Sequence, residues 1–517
     1  MANYIGIDFG MQNLKVCYFD GRKNIRVDLE GNQENSSKTS RNAVYYCEDE
    51  EDATILKKYF FGAKQAEEAR KYGDSDYVRY IKRELQREHY TRSVCSGRYT
   101  FSAMQIITDI FSQIYLKMNE SRYDMTAPVI LTVPVVFSEA QKQMLQKCAE
   151  KAGFQVKEVI TEPFAALFSD DIFDECVDAV DDEEYILIFD FGASTLDICL
   201  MRIENEDDDF TIETISSTGL SFGGKDISDA IADFLDTRYE SIFEKEIKAG
   251  RLDDESKKAT LFEYAEELKN ELYEEEDTPE AETRLYGDKI VLKRTNVDKI
   301  LDDMQIWNQI SNAISEMFDL TDEFDSDDYD IVSKVVMVGG TSRIQYFRDK
   351  IESLFKKANK KVELIGNPEE ENTVYCCVSS GAVNYAKQEN ITVRNSIPMH
   401  VGIEVGKGFE KALNRNSFYN IPGKRKQISI SQLESSKWRI KVYQTLKSVR
   451  EHTDVNQKEI LYAGYLQLNK DLYPKDEEVV IQLKFTTAGI VASTSSMQEI
   501  KQVIEEPIFL TAEVQYE

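Results

Sequence analysis

Two short segments carry the residues best suited to chemistry: Tyr4-Ile-Gly-Ile-Asp-Phe-Gly10 and Leu187-Ile-Phe-Asp-Phe-Gly192. Each is an apolar run ending in Asp-Phe-Gly, and each is followed by a second apolar segment, Leu14 to Phe19 and Leu196 to Ile203. That pattern reads as a β-hairpin. Glycine in such a turn lets backbone N–H groups approach a phosphate, and aspartate can hold water around a metal ion that neutralises the same phosphate. Asp8, Asp190 and Asp197 are the candidate metal-site carboxylates. One Asp-Phe-Gly after a strand is an ordinary tight turn, but its recurrence marks a duplicated lobe. A third segment, Gly339-Gly-Thr-Ser-Arg343, lies between an apolar strand and a helical pattern, where amides and a helix dipole suit an anion or a nucleoside. It supplies a third wall for one nucleotide pocket.

The elements that must position these residues alternate along the chain. Pro128-Val-Ile-Leu-Thr-Val-Pro134 reads as a buried strand, and Ser138 with Gln141 forms a capping box for a helix running through Ala152. Another strand, Val156 to Ile160, ends at Thr161-Glu-Pro-Phe164, where proline suits the first turn of a helix. Ser256 to Tyr273 is helical and highly charged, and Val335-Val-Met-Val338 is a strand leading through the glycine turn to a helix over Ile344 to Phe355. Beyond residue 390 the period changes. Trp438 to Val442, Leu466 to Leu468 and Val480 to Phe485 alternate every second residue, which predicts an antiparallel sandwich with no amphipathic helix after it.

Bulk properties narrow the function. The chain has 517 residues, 42% of them apolar and 11% aromatic, so it is folded and large enough for several domains. A net charge of −31 repels phosphate backbones and anionic membranes, arguing against nucleic-acid binding. The acidic runs at Asp181 to Glu184 and Asp325 to Asp328 read as solvated loops. Eight cysteines show no zinc spacing, no apolar run reaches the roughly 20 residues of a membrane span, and the start shows no export signal. A cytoplasmic protein without a membrane partner is the expectation.

Taken in order, Gly6-Ile-Asp-Phe-Gly10, Val133-Pro134 with Phe137, Thr161-Glu-Pro-Phe-Ala-Ala166, Phe189-Asp-Phe-Gly192, Phe222-Gly-Gly224 and Val338-Gly-Gly-Thr-Ser-Arg343 resemble the ATPase of the heat shock protein 70 (DnaK-type) chaperones. His400-Val-Gly-Ile-Glu404 and Lys411-Ala-Leu-Asn-Arg-Asn416 with Ile421-Pro422 resemble the start of that family's peptide-binding β-domain. The resemblance implies an α/β fold: a duplicated ribonuclease-H-like, actin-like ATPase domain over residues 1–388, a linker over 389–398 and an antiparallel β-sandwich over 399–517. It implies an ATP-dependent chaperone, active in protein folding and the stress response, that uses ATP or ADP, magnesium and potassium. Its partners would be unfolded peptides, a J-domain protein and a nucleotide-exchange factor.

Residue by residue, the resemblance gives Lys82 the role of positioning the γ-phosphate and attacking water, with Glu162, Asp190 and Asp8 completing the catalytic set. Gly10, Met11, Gln12, Gly192, Thr195, Asp197, Gly223 and Gly224 fall on the phosphate side; Glu266, Lys269, Tyr273, Gly339, Gly340, Thr341 and Arg343 fall around adenosine. Ile403, Phe409, Ile428, Trp438 and Ile440 fall on the peptide cleft and its arch, or serve as plain sandwich core.

Several positions depart from the family pattern. Met11 and Gln12 stand where hydroxyl residues usually touch phosphate, and Met11 can donate no hydrogen bond. Gly192-Ala-Ser replaces a glycine-rich turn, and Asn270 and Tyr273 replace an arginine and a serine. Thr392 and Arg394 interrupt the linker's leucine run, with Asn395 in place of an aspartate. Lys142 replaces an arginine that works with Pro134, and Glu158 reverses a charge facing the J-domain, which weakens the case for that docking. Two other readings follow: a non-hydrolysing relative acting as scaffold or exchange partner, and a small-molecule kinase or filament protein built from similar duplicated lobes.

Overall fold

The computed structural model describes residues 2–31, 39–71, 73–86, 90–177, 180–206, 209–250, 252–274, 278–285, 287–319, 324, 328–357, 362–366, 376–388, 391–429, 439–446, 452–457, 459–468, 478–486, 489–496 and 508–509.

Two mixed sheets position the Asp-Phe-Gly segments. In the first, the strands run in the order Gln155–Thr161, Pro128–Val133, Tyr4–Phe9, Asn13–Phe19, Asn24–Arg26. The first three are mutually parallel, and the last two double back antiparallel. The second sheet repeats that order and those orientations with Glu363–Ile365, Val332–Val338, Glu183–Phe191, Leu196–Glu206 and Asp209–Leu220. Each Asp-Phe-Gly therefore ends the central strand of its sheet. Such strands are covered on both faces, which is why they read as continuous apolar runs; Ile5, Ile7, Phe9, Leu187, Phe189 and Phe191 have no exposed surface.

A core shared by the two sheets joins them. Ile130 and Ile160 from the first meet Ile186, Ile188 and Val336 from the second, with Phe164 and Ala382 from two intervening helices. One of these, Cys377–Lys387, lies so close to the first sheet that a Cβ on Gly6 would run into the Ser379 carbonyl oxygen. The other, Glu162–Leu167, begins with Pro163 in its first turn, as the sequence predicts. Ser138 and Gln141 also form the predicted capping box: the Ser138 Oγ accepts from the Gln141 N–H and the Gln141 Oε1 from the Ser138 N–H at 2.8 Å.

Other expectations need adjustment. Gly340–Arg343 is a separate 3-10 turn, and the helix opens only at Gln345. The predicted helical run Ser256 to Tyr273 is realised as Asp254–Leu272. The acidic run from Asp181 is a loop only in part, because Glu183 and Glu184 begin a strand and Glu184 pairs with Lys334 at 3.0 Å. Residues 325–327 lie outside the described residues. The linker segment is ordered as a strand: Ile391–Arg394 pairs in parallel with Phe210 to Glu213 and becomes the sixth strand of the second sheet.

After it come two antiparallel sheets. One holds Thr453–Asp454, Gly408–Leu413, His400–Val405, Arg439–Thr445 and Leu461–Gln467; the other holds Pro422–Ser429, Glu478–Thr486, Gly489–Ser496 and Ile508–Phe509. Val401, Ile403, Ile440 and Val442 of the first meet Val479, Ile481 and Leu483 of the second in one core. This region rests against the N-terminal one. The Arg415 Nη2 donates to the Ser217 carbonyl at 2.9 Å, the Glu139 N–H donates to the Gln444 Oε1 at 2.7 Å, and the Lys142 ammonium lies 5.9 Å from the Phe485 ring centroid. Among the described residues no helix is long and apolar enough to cross a membrane.

Candidate active site

Hairpin register determines what faces each aspartate. Asp8 is the direct cross-strand partner of Lys15, whereas Asp190 is the partner of Asp197. The Lys15 Nζ lies 2.7 Å from the Asp8 Oδ2. Burial alone would favour a neutral Lys15 amine, but the field and hydrogen bond of Asp8 outweigh it and hold the group firmly charged.

Lys82 enters from a 3-10 turn, Ile81–Gln86, set off by Tyr80 in the left-handed region with φ of 59°. Only 2% of its side chain is exposed; its Nζ pairs with the Glu162 Oε1 at 2.8 Å and sits 5.2 Å from the Phe137 ring centroid. A buried lysine needs such a partner, since an unpaired ammonium in the interior is strongly disfavoured.

The centre is rich in negative charge. Burial pushes the Asp190 carboxyl well above its usual range, and Glu162, Asp197 and Asp8 push it further. Asp197 is raised to about 7 by burial and by Glu162. Glu162 is raised by burial, with Lys82 opposing the shift. Asp197 accepts from the Val135 N–H at 2.6 Å, while its buried Oδ2 has no partner among the described residues. A site of this composition suits a hard cation with oxygen ligands. Among the described residues, however, no three carboxylate, thiolate or imidazole groups converge closely enough to hold a metal ion. An ion held partly by water and phosphate oxygens fits the donor set; a closed all-protein cage does not.

The cleft over these groups brings together Asp8, Gly10, Met11, Gln12, Lys82, Glu162, Asp190, Gly192, Thr195, Gly224, Lys269, Tyr273, Gly339, Gly340, Thr341 and Arg343. Three predicted contacts stand behind its wall. Asp197 is occupied by Val135; a Cβ on Gly223 would collide with the backbone of Ala193 and Ser194; and Glu266 accepts from the Gln12 Nε2 at 3.0 Å and the Tyr80 hydroxyl at 2.9 Å. Glu266 thus ties the helix Asp254–Leu272 to the first hairpin. Lys269 donates to the Gly224 carbonyl at 2.8 Å and the Ser228 Oγ at 2.7 Å, and burial lowers its pKa. Tyr273 presents a ring with the Arg294 guanidinium 5.1 Å from its centroid, and its buried hydroxyl has no partner among the described residues. The Thr341 hydroxyl donates to the Gly192 carbonyl at 2.8 Å, and the Arg343 guanidinium donates to the Glu274 carbonyl at 2.8 Å.

Two charged lining residues, Lys15 and Arg83, escaped the sequence reading. Lys15 sits in an apolar run whose alternation sends it to the cleft face. Arg83 follows Lys82 and donates across the cleft to the Ser194 and Ser221 carbonyls at 3.2 and 3.3 Å and to Asp226 at 3.2 Å. Only tertiary structure brings those acceptors to it.

Of the C-terminal candidates, Ile403, Phe409 and Ile440 are buried. Ile403 and Ile440 fill the core between the two sheets, and Phe409 packs with Tyr443, Val455 and Ile460 in a smaller cluster. Ile428 lies on the strand Pro422–Ser429, and Trp438 lies outside the described residues. Glu158 is half-buried, accepts from the Tyr385 hydroxyl at 3.1 Å, and has its pKa raised by burial. Lys142 pairs with Glu139 at 2.8 Å.

Paired lysines and carboxylates thus line a cleft in an α/β protein whose two sheets share one strand order. The model of the family described as Hsp70 protein matches residues 5–502, nearly the whole chain. The chain belongs to the Hsp70 family. Members are chaperones that generally bind ATP or ADP with magnesium and engage unfolded peptides and co-chaperones.

Proposed function

We propose that this chain is a slow ATPase of the Hsp70 type that couples nucleotide in the cleft to the binding of extended peptide by its C-terminal β-region. The reading takes residues 1–388 as a duplicated, ribonuclease-H-like and actin-like nucleotide domain, 389–398 as the linker and 399–517 as an antiparallel β-sandwich. The observation that carries it is the buried Lys82–Glu162 pair at 2.8 Å, placed beside Asp8 and Asp190. Phosphoryl transfer to water asks a protein chiefly for positioning and charge neutralisation. Glu162 fixes the Lys82 ammonium, which orients the γ-phosphate and the attacking water. Asp8 and Asp190 organise the ion, with Asp197 supporting Asp190 from behind. Gly10, Gly192 and Gly224 admit the phosphates, Gly339 to Arg343 border the nucleoside, and the Tyr273 ring offers a surface for the base. Magnesium, when bound, neutralises phosphate charge.

Met11 at the cleft favours a second reading, a nucleotide-binding scaffold or exchange partner that does not hydrolyse, because a thioether supplies no donor to phosphate. Single-turnover ATP hydrolysis with magnesium and potassium, comparing the protein with Lys82→Ala, separates the two. An active ATPase loses about 100-fold or more in rate in the variant; tight ATP binding without turnover in either protein establishes the scaffold.

A further inference from the structure

The two hairpins carry contrasting charge pairs beside the same cleft. Direct antiparallel partners have Cβ atoms roughly 5 Å apart, so register alone brings Lys15 to Asp8 and Asp197 to Asp190. Lys15 lines the cleft together with Gly10, Lys82 and Thr341, and 17% of its side chain stays exposed against 5% for Asp8. An ammonium has three donors, and Asp8 takes one. No other acceptor bonds Lys15 among the described residues, so it retains donors for something in the cleft.

Charge balance says what that ligand is. Asp8, Glu162, Asp190 and Asp197 are set against Lys15 and Lys82, while the other cations of the cleft, Arg83, Lys269 and Arg343, are bonded to backbone carbonyls. A polyphosphate entering there meets a surplus of carboxylates, and without Lys15 only Lys82 would remain as an ammonium paired to one of them. At the first hairpin, Lys15 already holds one oxygen of Asp8, Oδ2, at 2.7 Å.

We propose that Lys15 is a resident cation of the phosphate site, its ammonium bridging Asp8 and the β-phosphate, so that this chain holds ADP tightly without a divalent ion. The proposal rests on the nucleotide reading of the cleft. A purely structural Lys15, serving only to neutralise Asp8, would alter folding stability and would affect binding equally with and without magnesium. A phosphate-contacting Lys15 affects binding mainly when magnesium is absent, and only for nucleotides that have a β-phosphate.

The test is ADP and AMP binding to the full chain by titration calorimetry, in excess magnesium and in EDTA, for the protein, Lys15→Met and Lys15→Arg, with melting temperature as a check on folding. Removal of magnesium should weaken ADP binding by the unmodified protein no more than about tenfold. Lys15→Met should bind ADP at least about tenfold more weakly in EDTA but within about threefold in magnesium, with AMP unchanged and Lys15→Arg recovering most of the loss. Equal ADP binding by Lys15→Met and the unmodified protein in EDTA, or an equal loss in both conditions, overturns the proposal. So does complete loss of ADP by the unmodified protein in EDTA despite binding in magnesium, a result that needs no variant to fold and leaves the nucleotide reading standing. Absence of binding in magnesium sinks both.

Discussion

The first hairpin closes an aspartate against a lysine; the second closes an aspartate against another aspartate. Strand order and direction around them are the same, so backbone architecture does not set the electrostatics. The first hairpin is self-neutralising. The second is not, and its two carboxyls are both raised by burial and by Glu162. A repeated scaffold can therefore divide labour: one copy carries a permanent cation, and the other keeps an unmet demand for a mobile one.

The strongest way to break this contrast is Lys15→Asp, which gives the first hairpin the charge pattern of the second. Losing the partner of a buried carboxylate and adding another should destabilise the metal-free protein by about 3–5 kcal/mol, read as a lower denaturation midpoint, with partial recovery in magnesium. A weaker perturbation confined to the second hairpin is Gly339→Ala. Gly339 has φ of 83°, and a Cβ there would strike the Phe191 carbonyl and the Asp190 carboxylate. About 2–3 kcal/mol should be lost, together with nucleotide affinity, while the first hairpin is untouched. The smallest effect compares the hydrogen bonds that brace each turn. The Gly10 carbonyl accepts from the Asn42 Nδ2 at 2.6 Å, and the Gly192 carbonyl accepts from the Thr341 hydroxyl at 2.8 Å but also from the Gly224 N–H at 3.1 Å. Thr341→Val should cost about 1 kcal/mol in a chemical melt, and Asn42→Ala about twice that, because no second donor is described at Gly10.

Much of this scaffold was legible in residue pattern. The Asp-Phe-Gly repeat, the Ser138 capping box and Pro163 in a first turn are local signals, and each has a physical mechanism that acts within a few residues. Lys15 was not legible as a functional group because its meaning comes from register: in a run read as apolar, one charged residue gains its role from the residue across the strand. Asp197 and Glu266 were drawn into the pocket by motif position, yet their carboxylates turn to the Val135 amide and to Gln12 and Tyr80. Motif position places a backbone, and the neighbours it meets decide where the side chain goes. In the C-terminal region, period-two alternation identified which faces pack but could not tell a core face from a cleft; the family resemblance left both open for Ile403 and Ile440, and both lie in the core between the two sheets. The segment at Ile391 looked like a connector because a four-residue strand has too little pattern to announce itself.

That short strand has a consequence for how the molecule ages. Ile391–Arg394 caps the open margin of the second sheet, covering the ladder from Phe210 to Glu213. An uncapped margin is a template for foreign strands. Each excursion that lifts the strand away would bare a row of amides and carbonyls that another chain can match, so proteolytic nicking near residue 390 should turn a well-behaved protein into one that self-associates.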